Sequence, residues 1–336
     1  MIKRHSTLAI LVLALAAGCS QQAGEVELLH VSYDPTRELF EAVNTAFLGE
    51  YNKQNSPDLT IRQSHGGSAS QARSVIDGLE ADVVSLPLWS DVDAIRKAGL
   101  IDADWEERFP NKSLPYFSTI VFVVREGNPK QVKDWADLVR GDIEVITPSP
   151  KTSGNGKLSF LAAWGSVLLR GGSKDDAVKY VTELYKRVPV LDPGARGSTT
   201  TFAQKEIGDV HLTWENEAWL EIRESGNKLE IVYPPISIRA EPKVALVDAN
   251  VKRHNTAKAA EAYLNFLYTP AGQEIVAQNY YRPIQEDVLA KHAQSFPPLE
   301  LFTIDKIAPG WSEAITEYFE EGAVFDQIYE SAVKGK

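Results

Sequence analysis

Short apolar runs alternate with stretches of helical periodicity along most of the chain. The run Val26–Tyr33 predicts a strand, and the apolar stripe that follows it predicts a helix over residues 37–52. The same alternation predicts further strands at residues 59–63, 82–86, 119–125, 144–147, 188–191, 210–214, 229–233 and 244–247. Further helices are predicted at residues 70–79, 157–170, 174–187, 199–205, 217–225 and 256–268. This alternation is typical of an α/β fold whose mainly parallel sheets are flanked by helices.

The N-terminus has the pattern of a targeting segment. Lys3 and Arg4 precede an apolar run at 8–17, which is too short to span a bilayer and has the length of a signal-peptide core. The run ends in small residues before Cys19, a pattern that resembles the cleavage box of bacterial lipoproteins. We therefore expect a lipoprotein signal peptide at 1–18, lipidation of Cys19 and a polar tether at 19–25. An ordinary secretory signal with an incidental cysteine is the alternative.

Length, composition and charge limit the class of protein. A chain of 336 residues suggests about two domains, and a hydrophobic content of 43% is that of a globular protein. The single cysteine excludes an intramolecular disulfide and a multi-cysteine zinc site. The net charge of −11 becomes −13 when Lys3 and Arg4 are removed, which argues against nucleic acid as the partner. A small anion is not excluded, because a local site can oppose the global charge.

Four loops between predicted strands and helices share one chemistry. They are rich in glycine and hydroxyl residues and cover residues 32–36, 65–68, 152–156 and 194–199. Each loop precedes a predicted helix, so it presents free backbone N–H groups at the positive end of the helix dipole. Taken singly, each loop is explained by helix capping and turn formation. Four such loops beyond the carboxyl ends of strands favour an anion site.

The sequence lacks the common catalytic motifs. It contains no HExxH or GxSxG motif, no P-loop, and no two histidines four residues apart. The lack of a nucleotide fingerprint favours a small anion, and we expect no cofactor and no metal. Trp214, at the end of a predicted strand, offers an indole N–H that can only donate; simple packing of an aromatic ring is its other explanation. An exported enzyme acting on sulfate or phosphate esters stays in view as the alternative class.

Eight segments carry a specific resemblance to one family. They are SYDPTREL (32–39), QSHGGS (63–68), STIVFVVREGNPKQVKDWADL (118–138), ITPSPKTSGNGK (146–157), FLAAWG (160–165), LDPGARGSTTTF (191–202), GDVHLTWENEA (208–218) and FLYTPAGQEI (266–275). They resemble the periplasmic sulfate-binding proteins of sulfate/thiosulfate ABC importers, from about residue 25 to residue 329. The resemblance implies a two-lobed periplasmic binding protein fold with an anion in the cleft. The N-terminal lobe would comprise 26–118 and 243–285, and the C-terminal lobe 119–242 and 286–336.

The resemblance also implies a set of ligand residues, all of them neutral donors. Backbone N–H groups would come from Asp34, Ser68, Gly154, Asn155 and Ala195, and side-chain donors from the Ser153 hydroxyl and the Trp214 indole. His65 and Arg196 would support these residues without touching the anion.

One position departs from the sulfate-binding pattern. Asn155 stands where the typical sulfate binders have glycine, and Ser-Gly-Asn is also a pattern of the thiosulfate-binding branch. Ala195 and Trp214 match the sulfate branch, so we expect sulfate, with thiosulfate or a related oxyanion as the alternative. The expected protein is a monomer without enzymatic activity, held in the periplasm by a lipid on Cys19. It would deliver its anion to a membrane permease.

Overall fold

Two sheets organise residues 26–334, the part of the chain that the computed structural model describes. The strands are β1 (Val26–Tyr33), β2 (Leu59–Gly66), β3 (Val83–Leu86), β4 (Tyr116–Arg125), β5 (Val145–Ile146), β6 (Val210–Trp214), β7 (Leu229–Val232), β8 (Ile236–Ala240), β9 (Lys243–Leu246), β10 (Arg282–Pro283) and β11 (Glu300–Phe302). The predicted signal peptide, the tether and Cys19 lie outside the described residues.

Helices surround both sheets. They are α1 (Arg37–Gln54), α2 (Ser68–Ile76), α3 (Trp89–Lys97), the single turn α4 (Pro110–Ser113), α5 (Gly154–Leu168), α6 (Lys174–Lys186), α7 (Ala195–Thr199), α8 (Glu215–Glu224), α9 (Asp248–His254), α10 (Ala257–Phe266), α11 (Pro270–Gln278), α12 (Glu286–Lys291), α13 (Trp311–Tyr318) and α14 (Val324–Lys334). Short 3₁₀ turns lie at Asp34–Thr36, Trp105–Glu107, Trp135–Val139 and Ile304–Lys306, and a π turn at Thr200–Gln204 continues α7. Within residues 26–334 there is no helix with the length and apolarity that crossing a bilayer requires.

The first sheet has the strand order β2-β1-β3-β9. Strand β1 pairs in parallel with β2 along its whole length, and in parallel with β3. Strand β9 is antiparallel to β3. The second sheet has the order β11-β8-β4-β6-β5, with β7 and β10 also paired to β4.

Two reversed strands mark where the chain passes between the sheets. Strand β4 is the first strand of the second sheet and runs antiparallel to β6, β7, β8 and β10. Strand β9 carries the chain back from β8 and is the reversed strand of the first sheet. A crossover helix joins parallel strands of one sheet. No such helix leads from another strand of the same sheet into β4 or β9, so each can run antiparallel to its neighbours. The α/β fold with two helix-flanked sheets is confirmed, while the numerical lobe boundaries stay a prediction.

Alternating side chains of the strands feed a core on each face of each sheet. In the first sheet, Leu28 and Val83 pack with α1, α10 and α11, while Val31 and Val84 pack with α2 and α3. In the second sheet, one face of β4 and β6 packs against α5, α6, α13 and α14, and the other against α8 and the π turn. Because both faces are covered, the strands are buried and their carboxyl ends stay free to form a site.

The predicted strand at 188–191 is wrong. Pro189 and Val190 are exposed and the segment forms no strand in the described part of the chain, although Val145 N donates to Arg187 O at 2.9 Å beside β5. Proline cannot donate to a strand ladder, so pairing stops there. Strand β8 and helix α3 lie in segments for which no element was predicted.

Candidate functional site

One small cavity lies where loops from the two sheets meet. The first sheet contributes the loops after β1, β2 and β3, and the second contributes the starts of α5 and α7 and the end of β6. The cavity holds about 210 Å³ of space not filled by atoms, part of it open to solvent. Its lining residues are Tyr33, Asp34, Pro35, Gly66, Gly67, Ser68, Pro87, Ser153, Gly154, Asn155, Ala195 and Trp214. All seven predicted ligand residues are therefore brought together, although their binding of an anion stays a prediction.

Helix starts give this cavity its backbone donors. Asp34 begins a 3₁₀ turn, Ser68 begins α2, Gly154 begins α5 and Ala195 begins α7. The first N–H groups of a helix have no carbonyl partner within that helix. Helix α7 starts four residues before the predicted helix, which is what places the Ala195 N–H in the first turn. The arrangement therefore brings the first residues of four separate helical segments to one cavity.

Two side chains add donors to the backbone set. The Ser153 Oγ accepts a hydrogen bond from Gly156 N at 3.3 Å as the N-cap of α5, which leaves its own proton free to donate. Trp214 is fully buried, and its Nε1 has no hydrogen-bond partner within residues 26–334. A buried donor without a partner costs about 1–3 kcal/mol, so Trp214 is a group that a bound acceptor would stabilise.

The Ser68 hydroxyl already has a hydrogen-bond partner. Ser68 Oγ donates to Asp91 Oδ2 at 2.6 Å, and burial raises the pKa of Asp91 against the opposing effects of Lys157 and Ser68. What Ser68 offers the cavity is therefore its backbone N–H, as predicted from the resemblance. Asp91 itself was missed, because nothing near it in sequence links it to the loop at 65–68.

The Asn155 side chain turns away from the cavity. Its Nδ2 donates to Leu212 O at 3.1 Å, in the strand that ends in Trp214. Asparagine tolerates a positive φ better than most residues. Asn155 does not use this conformation, because it lies inside α5. The replacement of glycine by asparagine thus keeps the backbone donor and adds a contact that fastens α5 to β6.

Nearby carboxylates are held by cations at the edge of the cavity. Glu215, which follows Trp214, accepts from Arg282 Nε at 2.7 Å and from its Nη2 at 2.8 Å, with both side chains buried. Asp34 Oδ1 lies 3.5 Å from Arg37 Nη2; burial raises the pKa of Asp34, and Arg37 and Arg196 oppose that rise. The acidic groups around the cavity are thereby neutralised or oriented away from it.

Arg196 and His65 lie near the cavity and are not among the described residues that line it. Arg196 donates to both oxygens of Glu38 at 3.1 Å and to Glu217 Oε1 at 3.1 Å, so it bridges α1 and α8. Glu217 is fully buried; burial raises its pKa to about 8, against the effect of Arg196. His65 lies 2.8 Å from Gln63 Oε1 and 3.3 Å from Tyr33 O. Burial lowers the pKa of His65 to about 4, so it is neutral at pH 7.

Two glycines allow the two halves of the cavity to touch. A Cβ on Gly154 would lie 2.7 Å from Pro87 Cγ and 3.1 Å from Ser68 Oγ, and one on Gly67 would lie 3.0 Å from Thr152 O. Each of these contacts joins a loop of the first sheet to a loop of the second, so the lobes are closed on one another. Pro87 was missed in the sequence; its signal was its place directly after β3, at the carboxyl end of a parallel strand.

Within residues 26–334 no group of histidine, cysteine, aspartate and glutamate side chains is arranged to hold a metal ion.

Known proteins match this chain along nearly its whole length. The family model described as bacterial extracellular solute-binding protein matches residues 30–282. The sulfate-binding protein of Escherichia coli K12 is 53% identical over 316 residues, which is 94% of this chain and 96% of that relative. The thiosulfate-binding protein of Pseudomonas aeruginosa is 46% identical over 330 residues, 98% of this chain and 99% of that relative. The structure of the sulfate-binding protein SubI of Mycobacterium tuberculosis superposes with a TM-score of 0.80 at 33% identity, covering 88% of this chain and 100% of SubI.

A two-lobed α/β chain with a small cavity between its lobes has the form of a solute-binding protein. The chain belongs to the family of bacterial extracellular solute-binding proteins. The resemblance to sulfate-binding proteins that its motifs carry is confirmed.

Gly154→Ala tests whether the contact across the cavity matters for binding. The added methyl would collide with Pro87 in the closed arrangement, and overpacking of this kind costs about 1–3 kcal/mol. We expect anion affinity to fall by that amount in calorimetric titration. Gly49→Ala is the matched control, because a Cβ at Gly49 in α1 meets open space. It should leave affinity unchanged; an equal loss in both variants would contradict the interpretation.

Trp214→Phe tests the indole donor. Loss of one hydrogen bond to a buried anion should weaken binding by about 1–3 kcal/mol, measured by calorimetry. Trp135→Phe serves as the control, because the Trp135 indole donates to Ile236 O in the core of the second sheet, at 2.7 Å. The control should lower the melting temperature without changing affinity. Unchanged affinity in Trp214→Phe would remove this residue from the site.

Proposed function

We propose that this protein captures sulfate between its lobes and delivers it to the permease of an ABC importer. The observation that carries the proposal is a cavity surrounded by hydrogen-bond donors whose nearby carboxylates are paired elsewhere. Sulfate is fully ionised at neutral pH and offers only acceptors, so a set of donors suits it. The names of the relatives, which are sulfate- and thiosulfate-binding proteins, support the same substrate class.

The donor set accounts for discrimination against phosphate. Hydrogen phosphate carries a proton that needs an acceptor, and an acceptor aimed at sulfate would repel it. Asp34 lines the cavity and Glu215 and Glu217 follow the lining residue Trp214; each of these carboxylates has a cationic partner. A protonated oxyanion would therefore leave its own proton unpaired in a buried site, which costs about 1–3 kcal/mol.

Binding strength follows from opposing contributions. Each hydrogen bond to a charged group contributes about 1.5–3 kcal/mol net, so seven donors nominally exceed 10 kcal/mol. Burying a doubly charged ion costs several kcal/mol per charge, and ordering the two lobes around it costs more. We expect a dissociation constant in the micromolar range or below, about −8 kcal/mol or stronger.

Thiosulfate is the second candidate within this function. Asn155 matches a pattern of the thiosulfate-binding branch, and a thiosulfate-binding relative covers nearly the whole chain. Ala195 and Trp214 favour sulfate. Competition between sulfate, thiosulfate, molybdate and phosphate on one sample ranks the four anions directly.

Closure of the lobes would link capture to delivery. Hinge closure around a ligand is a known motion of two-lobed binding proteins, and a permease that prefers the closed form would take up only loaded protein. The protein acts as a monomer in this proposal, since one cavity formed within one chain suffices. It carries out no reaction, and assays with aryl sulfate and aryl phosphate esters should show no hydrolysis.

Sulfate titration of the purified, desalted protein is the direct test. We expect saturable heat with a stoichiometry of one and a change in tryptophan fluorescence, because Trp214 lines the cavity. No binding of sulfate or thiosulfate at millimolar concentration would refute the proposal. Ester hydrolysis at a rate above the background would favour the enzymatic alternative.

Lipid attachment at Cys19 is part of the proposal and concerns the targeting segment. The pattern before Cys19 supports cleavage at that residue, and a single acyl chain binds membranes only marginally, so a stable anchor needs more than one chain. We expect the wild-type protein in the membrane fraction of the expressing bacterium. Cys19→Ala should appear in the soluble periplasmic fraction or stay unprocessed. A wild-type protein that is already soluble would indicate an ordinary secretory signal.

A further inference from the structure

Outside the cavity, an aromatic pair joins the two lobes. Trp219 of α8 stacks on Tyr280, with ring centroids 5.1 Å apart and planes 15° from parallel. Helix α8 follows β6 of the second sheet. Tyr281, the residue after Tyr280, is buried among α1, α10 and α11 of the first sheet and donates to Pro35 O at 2.7 Å, before the chain enters β10, which pairs with β4 of the second sheet. The stack therefore spans the boundary between the lobes.

Tyr280 has an unusual backbone conformation. Its φ is 60°, in the left-handed region that is a clear outlier for a bulky residue. Such conformations persist where the surrounding structure holds them, and they cluster at functional positions. Here the conformation accompanies a side chain stacked on a ring of the other lobe.

The same segment is fastened to α8 at further points. Arg282 holds Glu215, the first residue of α8, through two hydrogen bonds of 2.7 and 2.8 Å. Asn216 Nδ2 donates to Pro35 O at 3.1 Å, the oxygen that also accepts from Tyr281. Helix α8 begins directly after Trp214, so contacts along α8 connect the segment at 280–282 to a residue that lines the cavity.

We propose that Trp219 and Tyr280 are positioning residues for lobe closure, whose stacked rings stabilise the closed form and thereby raise affinity for the anion. This inference rests on the proposed function. Neither ring lines the described cavity, so their contribution acts on the equilibrium between open and closed forms. Two consequences follow: the contribution is the same for every anion that the closed form holds, and its loss speeds release.

Trp219→Ala should show both consequences. A stacked aromatic pair is worth about a threefold to tenfold change in an equilibrium constant. We expect dissociation constants for sulfate and for thiosulfate to rise by the same factor in calorimetry, with their ratio unchanged. The dissociation rate in stopped-flow fluorescence should rise correspondingly. Trp219→Phe, which keeps a ring against Tyr280, should restore most of the affinity.

Tyr280→Gly separates the effect of the ring from that of the backbone conformation. Glycine adopts a φ of 60° without strain, so this variant removes the ring without straining the backbone. It should weaken both anions as Trp219→Ala does. Tyr329→Ala is the control, because Tyr329 stacks on Phe325 within α14, at 5.8 Å and 17°, inside one lobe. Its affinities should equal those of the wild type.

Each result decides the inference. Wild-type affinity in Trp219→Ala and Tyr280→Gly would overturn it while leaving the proposed function intact. A changed ratio of sulfate to thiosulfate affinity would also overturn it, since the rings would then act on the ligand site. Failure of the wild-type protein to bind either anion would remove the proposed function and this inference together.

Discussion

Backbone N–H groups at the start of a helix have no partner inside that helix, and this chain brings four such starts to one buried point. An N–H group that is buried without a partner costs about 1–3 kcal/mol, so an acceptor at this point would stabilise the arrangement. The sheets bring these helix starts together by placing the loops after β1 and β2 opposite the start of α5. Glycine at positions 67 and 154 allows the close approach, because a Cβ at either position would crowd the opposite loop.

The acidic charge of the protein sharpens this constraint. A chain of net charge −11 cannot attract an anion through its overall field, and in physiological salt distant charges are screened beyond about 8 Å. What matters is the charge beside the cavity, where Arg37, Arg196 and Arg282 pair with the nearest carboxylates. Because these cations pair with carboxylates, neutral dipoles are the groups that would meet an anion in the cavity. Local pairing thus makes the net charge irrelevant to the site.

Much of the fold and of the candidate site could be predicted from local sequence. Apolar alternation marked β1 and β6 to the residue, and the glycine- and hydroxyl-rich loops marked where helices begin. The resemblance carried all seven cavity residues over by motif. Long-range pairing was beyond such reasoning: nothing local shows that β4 and β9 run against their neighbours, that Ser68 donates to Asp91, or that Arg196 joins α1 to α8. The side-chain direction of Asn155 was equally hidden, because it depends on a carbonyl 57 residues away.

Contacts that line the cavity and contacts that join the lobes outside it have different physical roles. Groups that line the cavity are the ones that would touch a bound anion, so their geometry would decide which anion fits. Groups that join the lobes outside the cavity touch only protein, so they act on how much of the protein is closed, whatever the anion. Helix α8 belongs to both groups, since Trp214 precedes it and Trp219 lies one turn along it. If the stacked rings stabilise the closed form, a change in them adjusts affinity without any change in the donor set.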